Sequence, residues 1–320
     1  MVDLLVGSAL FRDTFVSGGR GLVDLPRLRS VGVTVVGLTV ATRWPNLRGT
    51  LSGWHFRSLG MSGDVTRSDM AMAEWLISRI NVWCDQSDGQ LKLVGSRADL
   101  EHCLAPGGPV GVLVGVQGGH VLEGDLANIA RLRALGVRMF APAHVMDNAL
   151  VGSGTGRFAG GLTGYGREVL SELEAQSIVV DLAHMSVDGI SAALPLLRRP
   201  FVLSHTGLTE MRPTGRNIPS SFAAEVAAAG GLVGIILSTR LLGGSTLDAA
   251  ARSFALATQS AGAAHVALGS DMDGALRMLI DVEGLPALAD ALLEAGLAET
   301  SVSGILGGNA TRLLRAALPG

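Results

Sequence analysis

The sequence predicts a single (β/α)₈ barrel of the α/β class. Three observations predict it: eight short apolar runs dense in Val, Ile and Leu, helical spacing between most of them, and polar or ionisable residues where many runs end. Runs without inside-outside alternation are what a parallel sheet needs when helices cover one face and packed side chains the other.

In chain order the runs are VDLLVGSALF (2–11), VTVVGLTV (33–40), VGVLVGV (110–116), VRMFAPAH (137–144), SIVVDLAH (177–184), PFVLSH (200–205), GLVGIILS (231–238) and HVALGSD (265–271). Between them, apolar residues at i, i+3 and i+4 predict helices over 69–83, 125–135, 166–176, 186–197, 220–229 and 247–259. Two more, over 285–296 and 301–318, follow the last strand and are expected to cover its outer face. No repeat or linker interrupts the pattern, so one domain is expected over 1–320. The stretch 41–68 holds two Trp, Pro45 and several Gly without periodicity, which predicts a long loop after strand two.

Composition narrows the function classes. Hydrophobic residues make up 48% and charged residues 17%, a balance suited to a large buried core and opposed to disorder. A net charge of −3 without any Lys/Arg run supplies no field for a phosphate backbone, so no nucleic-acid partner is expected. Every apolar stretch is broken by Gly or a polar residue short of the ~20 residues that a membrane-spanning helix needs, and no membrane association is expected. Asp3 and Arg12-Asp13 are wrong for a signal peptide, and the expected location is cytoplasmic. Cys84 and Cys103 sit in no metal or redox motif and are expected to be inert.

Barrel enzymes build their sites from the C-terminal ends of strands. Here those ends carry Asp13, Gln117, His144, His184, His205 and Asp271. One histidine after an apolar run is an ordinary hydrogen-bonded imidazole. Three after neighbouring strands, with Asp271 after the eighth, point to one pocket. His55, His102 and His265 lack this placement and are expected to be structural or solvated, while His120 in GGH follows strand three directly.

Long segments resemble the membrane (renal) dipeptidase family: DLPRLRSVGVTVVGLTV (24–40), VGVQGGHVLEGDLANIARLRALGVRMFAPAH (114–144), GLTGYGREVLSELEAQSIVVDLAHMS (161–186), PFVLSHTGL (200–208), RN within GRNIP (215–219), GSDMDG (269–274) and GGNATRLL (307–314). The resemblance implies a (β/α)₈ barrel that hydrolyses small dipeptides with two zinc ions bridged by a carboxylate and a hydroxide. By the same resemblance His184 and His205 match the histidines of the second zinc, and Asp271 matches the carboxylate that handles the proton. His144 and Arg216 match contacts to the substrate's oxyanion and carboxylate, and a homodimer is implied.

Two positions depart from the family pattern. Gln117 in VQGG stands where the bridging glutamate is expected, and a neutral amide neither cancels metal charge nor bridges two Zn²⁺ well. The opening HxD motif falls on Phe11-Arg12-Asp13 in one register, keeping Asp13 as a metal ligand and losing the histidine. In a second register, over Val2-Asp3, Leu5 and Gly7 take the ligand positions and both are lost. The expected metal complement is one zinc ion or none, not two, with His120 or Asp147 as conceivable replacement ligands.

Three functions remain open at this point. Gln117, His184 and His205 could hold one metal, with Asp271 as base, for amide hydrolysis of a small carboxylate-bearing, amino-acid-derived or dipeptide-like substrate. The same His/Asp cluster could run metal-independent elimination or cyclisation in a biosynthetic enzyme. A non-catalytic pseudo-dipeptidase is the third. Arg216 favours a carboxylate substrate in both enzymatic cases, because a guanidinium grips carboxylate in a bidentate fork.

Overall fold

Among the described residues every strand pairs in parallel. In the computed structural model, which describes residues 2–3, 14–19, 21–43, 57, 60–274 and 276–320, β1 (Val2–Asp3) pairs with β2 (Val35–Ala41). A short β3 (Leu91–Leu93) lies along the start of β4 (Val110–Gln117), which pairs with β2 on its other side and then with β5 (Val137–Ala141). The order continues through β6 (Val179–Val180), β7 (Val202–Thr206), β8 (Leu232–Ile235) and β9 (Val266–Leu268). A parallel bridge between Asp181 and Val202 joins the first sheet to the second.

Sequence explains this arrangement. All eight residues of β4, VGVLVGVQ, are buried, as a strand covered on both faces requires. Gly115 is needed there: a Cβ at that position would come within 2.7 Å of Thr39 Cγ2 on the paired strand. The close approach leaves the Thr39 and Gln117 side chains in contact, which matters for the site.

The helices start where side-chain caps supply an acceptor to free backbone N–H groups, each worth about 1 kcal/mol. Asp24 caps α1 (Leu25–Ser30), Ser68 caps α2 (Asp69–Gln86) and Ser96 caps α3 (Arg97–Leu104). After α4 (Ala127–Ala134), Thr163 caps α5 (Gly164–Ala175) and Ser186 caps α6 (Val187–Ala193). Thr246 caps α8 (Leu247–Ala261), which follows α7 (Ser220–Ala228). α9 (Leu285–Glu294) and α10 (Glu299–Ser303) close the outer layer with α11 (Asn309–Ala317).

The expected α/β fold with parallel strands is present, with differences that have local causes. The helix expected over 301–318 breaks into α10, a π turn at Gly304–Gly308 and α11. Gly304, Gly307 and Gly308 weaken the helix there, and Asn309 Nδ2 is drawn to the carbonyls of Ala263 and Val266 at 2.7 and 2.8 Å. The sequence pattern did not reveal β3 and α3: one is three residues long, and the other buries only Leu100 and Cys103. Of the first strand, 4–11 lies outside the described residues, as does most of the loop expected over 41–68; its end carries a 3₁₀ turn at Val65–Arg67. Among the described residues no helix is long and apolar enough to cross a membrane.

Candidate active site

Gln117 ends β4, His205 lies within β7, and His144, His184 and Asp271 follow β5, β6 and β9 within a few residues. Parallel pairing therefore brings all five to the C-terminal edge of the sheet. His184 and Asp271 adopt left-handed backbone conformations, φ 66° and 57°, which side-chain-bearing residues avoid unless surrounding structure enforces them.

Three imidazoles form a packed row. The ring centroids of His144 and His184 are 4.7 Å apart, and those of His184 and His205 are 4.9 Å apart, both pairs edge to face. The Nε2 atoms of His184 and His205 approach to 3.0 Å. Around them, His144 Nδ1, His184 Nδ1 and Gln117 Oε1 are buried without a hydrogen-bond partner. Unpartnered buried polar atoms are uncommon in a folded protein, and their concentration here marks a place built to receive something.

Arg216 joins the row through Nη2, which donates to the His205 carbonyl at 2.7 Å. Burial sets the electrostatics. It pushes His144 down to about 3, with His120 and Arg216 adding repulsion. It also drives His184 and His205 well below the ordinary histidine value, again with Arg216 opposing a second positive charge. All three rings are thus neutral at physiological pH. Asp271 is pushed up to about 6 by burial, only partly offset by the charge of Arg216. Arg216 itself falls to about 10 through burial, opposed by Asp271 and Asp181, and stays charged.

The pair His184 and His205 has the separation a single metal ion asks for. Two nitrogens bound to one tetrahedral zinc at ~2.0–2.1 Å stand roughly 3.3 Å apart. Among the described residues no group of three or more His, Cys, Asp or Glu converges to hold a metal. Two imidazoles thus stand where they could hold an ion, and the Gln117 amide oxygen is a further neutral donor at the same edge of the sheet. Asp13, Phe11, Leu5 and Gly7 lie outside those residues.

Neither replacement ligand is free. His120 Nε2 lies 3.0 Å from Thr42 Oγ1, and Thr42 Oγ1 donates to Asp69 Oδ1 at 2.7 Å. Asp69 also accepts from Arg43 Nε at 2.9 Å, and burial lowers His120 to about 4. The Asp147 carboxylate accepts from the backbone N–H groups of Ser153 and Phe158, both at 2.8 Å. His265 donates through Nδ1 to the Gly231 carbonyl at 2.8 Å, a structural role, and His55 lies outside the described residues.

Sequence reasoning missed Asp181 and Ser204. The Asp181 carboxylate accepts from the N–H groups of Ala183 and Ser204 and from Ser204 Oγ, and Ser204 Oγ meets His205 Nδ1 at 2.8 Å. The available signal was a polar residue inside each of two apolar runs, VVDLAH and FVLSH, where burial demands a partner.

An apolar cavity of about 420 Å³ opens inside the strands toward their N-terminal halves, lined by Leu113, Met139, Val179, Leu232 and Ala267 among others. It is lined by none of the described histidines, although Ser204 and Ser270 reach its wall.

Over residues 11–318 the chain matches the family described as membrane dipeptidase, peptidase family M19. The chain belongs to the membrane dipeptidase family. Solved structures agree on the fold. A metallo peptidase from Rhodobacter sphaeroides, liganded with a phosphinate mimic of the dipeptide L-Ala-D-Ala, is 23% identical with a TM-score of 0.80, over 97% of this chain and 95% of its own. An amidohydrolase from Pseudomonas aeruginosa is 21% identical with a TM-score of 0.74, over 92% and 91%. The probable dipeptidase PvdM from the same organism is 16% identical with a TM-score of 0.78, over 93% and 89%. Within the membrane dipeptidase family, then, this chain carries a neutral histidine row, a partly exposed arginine and a buried aspartate at the C-terminal edge of its sheet.

Proposed function

We propose that this membrane dipeptidase family protein hydrolyses the amide bond of a small, carboxylate-bearing, dipeptide-like substrate with the help of one metal ion. The observation that carries the reading is the 3.0 Å convergence of His184 and His205 Nε2, at the same edge of the sheet as the unpartnered Gln117 Oε1. His184, His205 and Gln117 would hold the ion, with Asp13 as a further candidate ligand. When bound, a zinc ion would supply Lewis-acid polarisation of water and of the scissile carbonyl.

The remaining steps belong to the chain's own groups. Arg216 spends one N–H on the His205 carbonyl and keeps the rest of its fork for the substrate carboxylate. His144, held neutral, offers a ring N–H to a developing oxyanion. Asp271, ionised above about pH 6, accepts the proton released by the attacking water and returns it to the leaving amine. A substrate of dipeptide size agrees with the ligand of the Rhodobacter sphaeroides relative.

A second reading, metal-independent acid/base chemistry on a similar substrate, is favoured by one observation: among the described residues no group of three His, Cys, Asp or Glu is placed to hold a metal ion, although His144 packs against the pair. One experiment separates the two. Protein purified without chelator is analysed for metal and assayed on a dipeptide panel before and after chelation. About one zinc per chain, with turnover lost on chelation and restored by zinc, supports hydrolysis. Unchanged activity in metal-free protein would transfer the assignment to acid/base chemistry, and no dipeptide turnover with zinc supplied would remove the dipeptidase reading.

A further inference from the structure

We propose that Asn217 is a positioning residue: its buried side-chain amide clamps the loop after β7 so that the guanidinium of Arg216 is presented to the substrate carboxylate. The inference deepens the hydrolytic reading and rests on its use of Arg216 as the carboxylate grip. Of the RN pair in GRNIP, Arg216 has a task in that reading and Asn217 has none.

Three carbonyl oxygens converge on the Asn217 side chain. The residue is 3% exposed, and its Nδ2 donates to the carbonyls of Leu208 at 3.2 Å, Arg212 at 2.8 Å and Leu241 at 2.9 Å. Only a donor can serve three acceptors, so the amide is fixed with its nitrogen toward them. It has two N–H groups for three carbonyls, and both are committed, one of them shared. Oδ1 turns toward Gly207, where a Cβ would come within 2.5 Å of it. The glycine directly after β7 thus leaves the room in which the amide sits.

The three carbonyls belong to two loops. Leu208 and Arg212 follow β7, and Leu241 follows β8. One side chain therefore closes the first loop on itself and ties it to the second. Backbone bonds hold the same place, with Ile218 N donating to the Gly207 carbonyl at 3.1 Å and Thr209 N to the Ile218 carbonyl at 2.9 Å. On the other side of Arg216, Gly215 packs against Gly154 of the loop after β5. A Cβ on Gly215 would come within 2.2 Å of the Gly154 carbonyl oxygen, and one on Gly154 within 2.1 Å of the Gly215 oxygen. Arg216 stands between two fixed neighbours.

Placement matters because an arginine side chain gives up much rotamer freedom when it is ordered, and its planar fork matches a carboxylate only in one orientation. The bond from Nη2 to the His205 carbonyl, 2.7 Å, orients the guanidinium as long as the backbone at 216 keeps its distance from β7. Without the Asn217 amide the three carbonyls lose this donor, and the loop must open to let water replace it. Arg216 then moves with the loop.

The test compares wild type with Asn217→Ala on a dipeptide and on the same dipeptide with its carboxylate amidated. KM for the free-carboxylate form should rise about 10-fold, the scale of a lost charge-assisted hydrogen bond, and the amidated form should lose far less. In an Arg216→Lys background the same substitution should add less than about 2-fold, because the two changes remove one interaction. A merely structural role would lower kcat for both substrates alike and act equally in both backgrounds, and that pattern would overturn the proposal. Nitrogen relaxation reads the placement without turnover. The Nε–H of Arg216, assigned from the Arg216→Lys spectrum, should show an order parameter of about 0.85 in wild type, as in rigid backbone, and below about 0.6 in Asn217→Ala. A mobile wild-type Arg216, or an unchanged value in the variant, would also overturn the proposal. If Asn217→Ala does not fold, the wild-type spectra decide: slow hydrogen exchange at Asn217 Nδ2 together with an ordered Arg216 sustains the clamp, and fast exchange removes it. A wild-type protein that turns over no dipeptide would remove the hydrolytic reading, while the relaxation data would still judge the clamp.

Discussion

Gln117 Nε2 donates to Thr39 Oγ1 across 2.9 Å, which fixes the amide so that Oε1 is the atom left buried and unpartnered. The two side chains meet because β2 and β4 are in register, Thr39 opposite Gly115 and Ala41 opposite Gln117. A neutral oxygen can stay in that position without metal at modest cost. A carboxylate cannot, since a buried charge without a counter-ion is strongly disfavoured.

Gln117→Glu should therefore make the protein more dependent on metal. In chelator the variant is expected to be less stable than wild type by about 1–3 kcal/mol, the penalty for an unsatisfied buried group. Added zinc should raise its melting temperature by more than it raises that of the wild type. Thermal melts of both proteins with chelator and with zinc check this. Equal zinc responses would show that position 117 does not face the ion.

Asp271 carries a second, pH-dependent prediction. Its folded pKa of about 6 stands above the ordinary 3.8, so folding favours the protonated acid. The stability contributed by that preference is complete below the unfolded value and is lost as pH rises through the folded one. At pH 8 the ionised, buried Asp271 should thus cost about 3 kcal/mol, and Asp271→Asn should be more stable than wild type by up to that amount. At pH 3.5 the two should be nearly equal. Turnover should disappear in the variant, while wild-type kcat/KM should climb as pH rises through about 6. Denaturant melts at the two pH values and a rate profile measure both halves.

Arg216 is expected to act mainly through binding. It is charged at every working pH, and its guanidinium bonds backbone at His205 while facing the site. Lysine keeps the charge but not the two-pronged geometry. Arg216→Lys should raise KM for a free-carboxylate dipeptide by about 10-fold or more, equivalent to the 1.5–3 kcal/mol of a charge-assisted hydrogen bond. An amidated dipeptide, which lacks the carboxylate, should lose far less. Equal effects on both substrates would remove Arg216 from carboxylate recognition.

The legible part of this molecule was the part carried by long apolar patterns. VGVLVGV announced a strand buried on both faces, and His144, His184, His205 and Asp271 stood out because each ends such a run. What stayed hidden depends on pairing between distant strands. Nothing in FVLSH says that Ser204 bonds a carboxylate 23 residues earlier, and nothing in VQGG says that Thr39 turns the Gln117 amide. His120 and Asp147 looked available as ligands because sequence shows a side chain without its partners. Thr42 and the backbone of the loop after β5 supply those partners.

That loop supports a last prediction. Asp147 ties the backbone at Ser153 and Phe158, and its carboxyl is held below the usual carboxylate value because those hydrogen bonds outweigh its burial. The tied segment in turn docks on the histidine row, with Gly154 N donating to the His184 carbonyl at 2.9 Å. Asp147→Ala would leave several N–H groups to water and loosen the support behind the left-handed turn at His184. Hydrogen exchange should accelerate across 152–160 and at 183–186 while the strands keep their protection. Because the group's folded pKa is depressed, acid should mimic the mutation, with wild-type protection in this segment lost as pH falls through that depressed value, below the ordinary carboxylate range. Exchange confined to 152–160, with 183–186 unaffected, would mean that the loop does not brace the site.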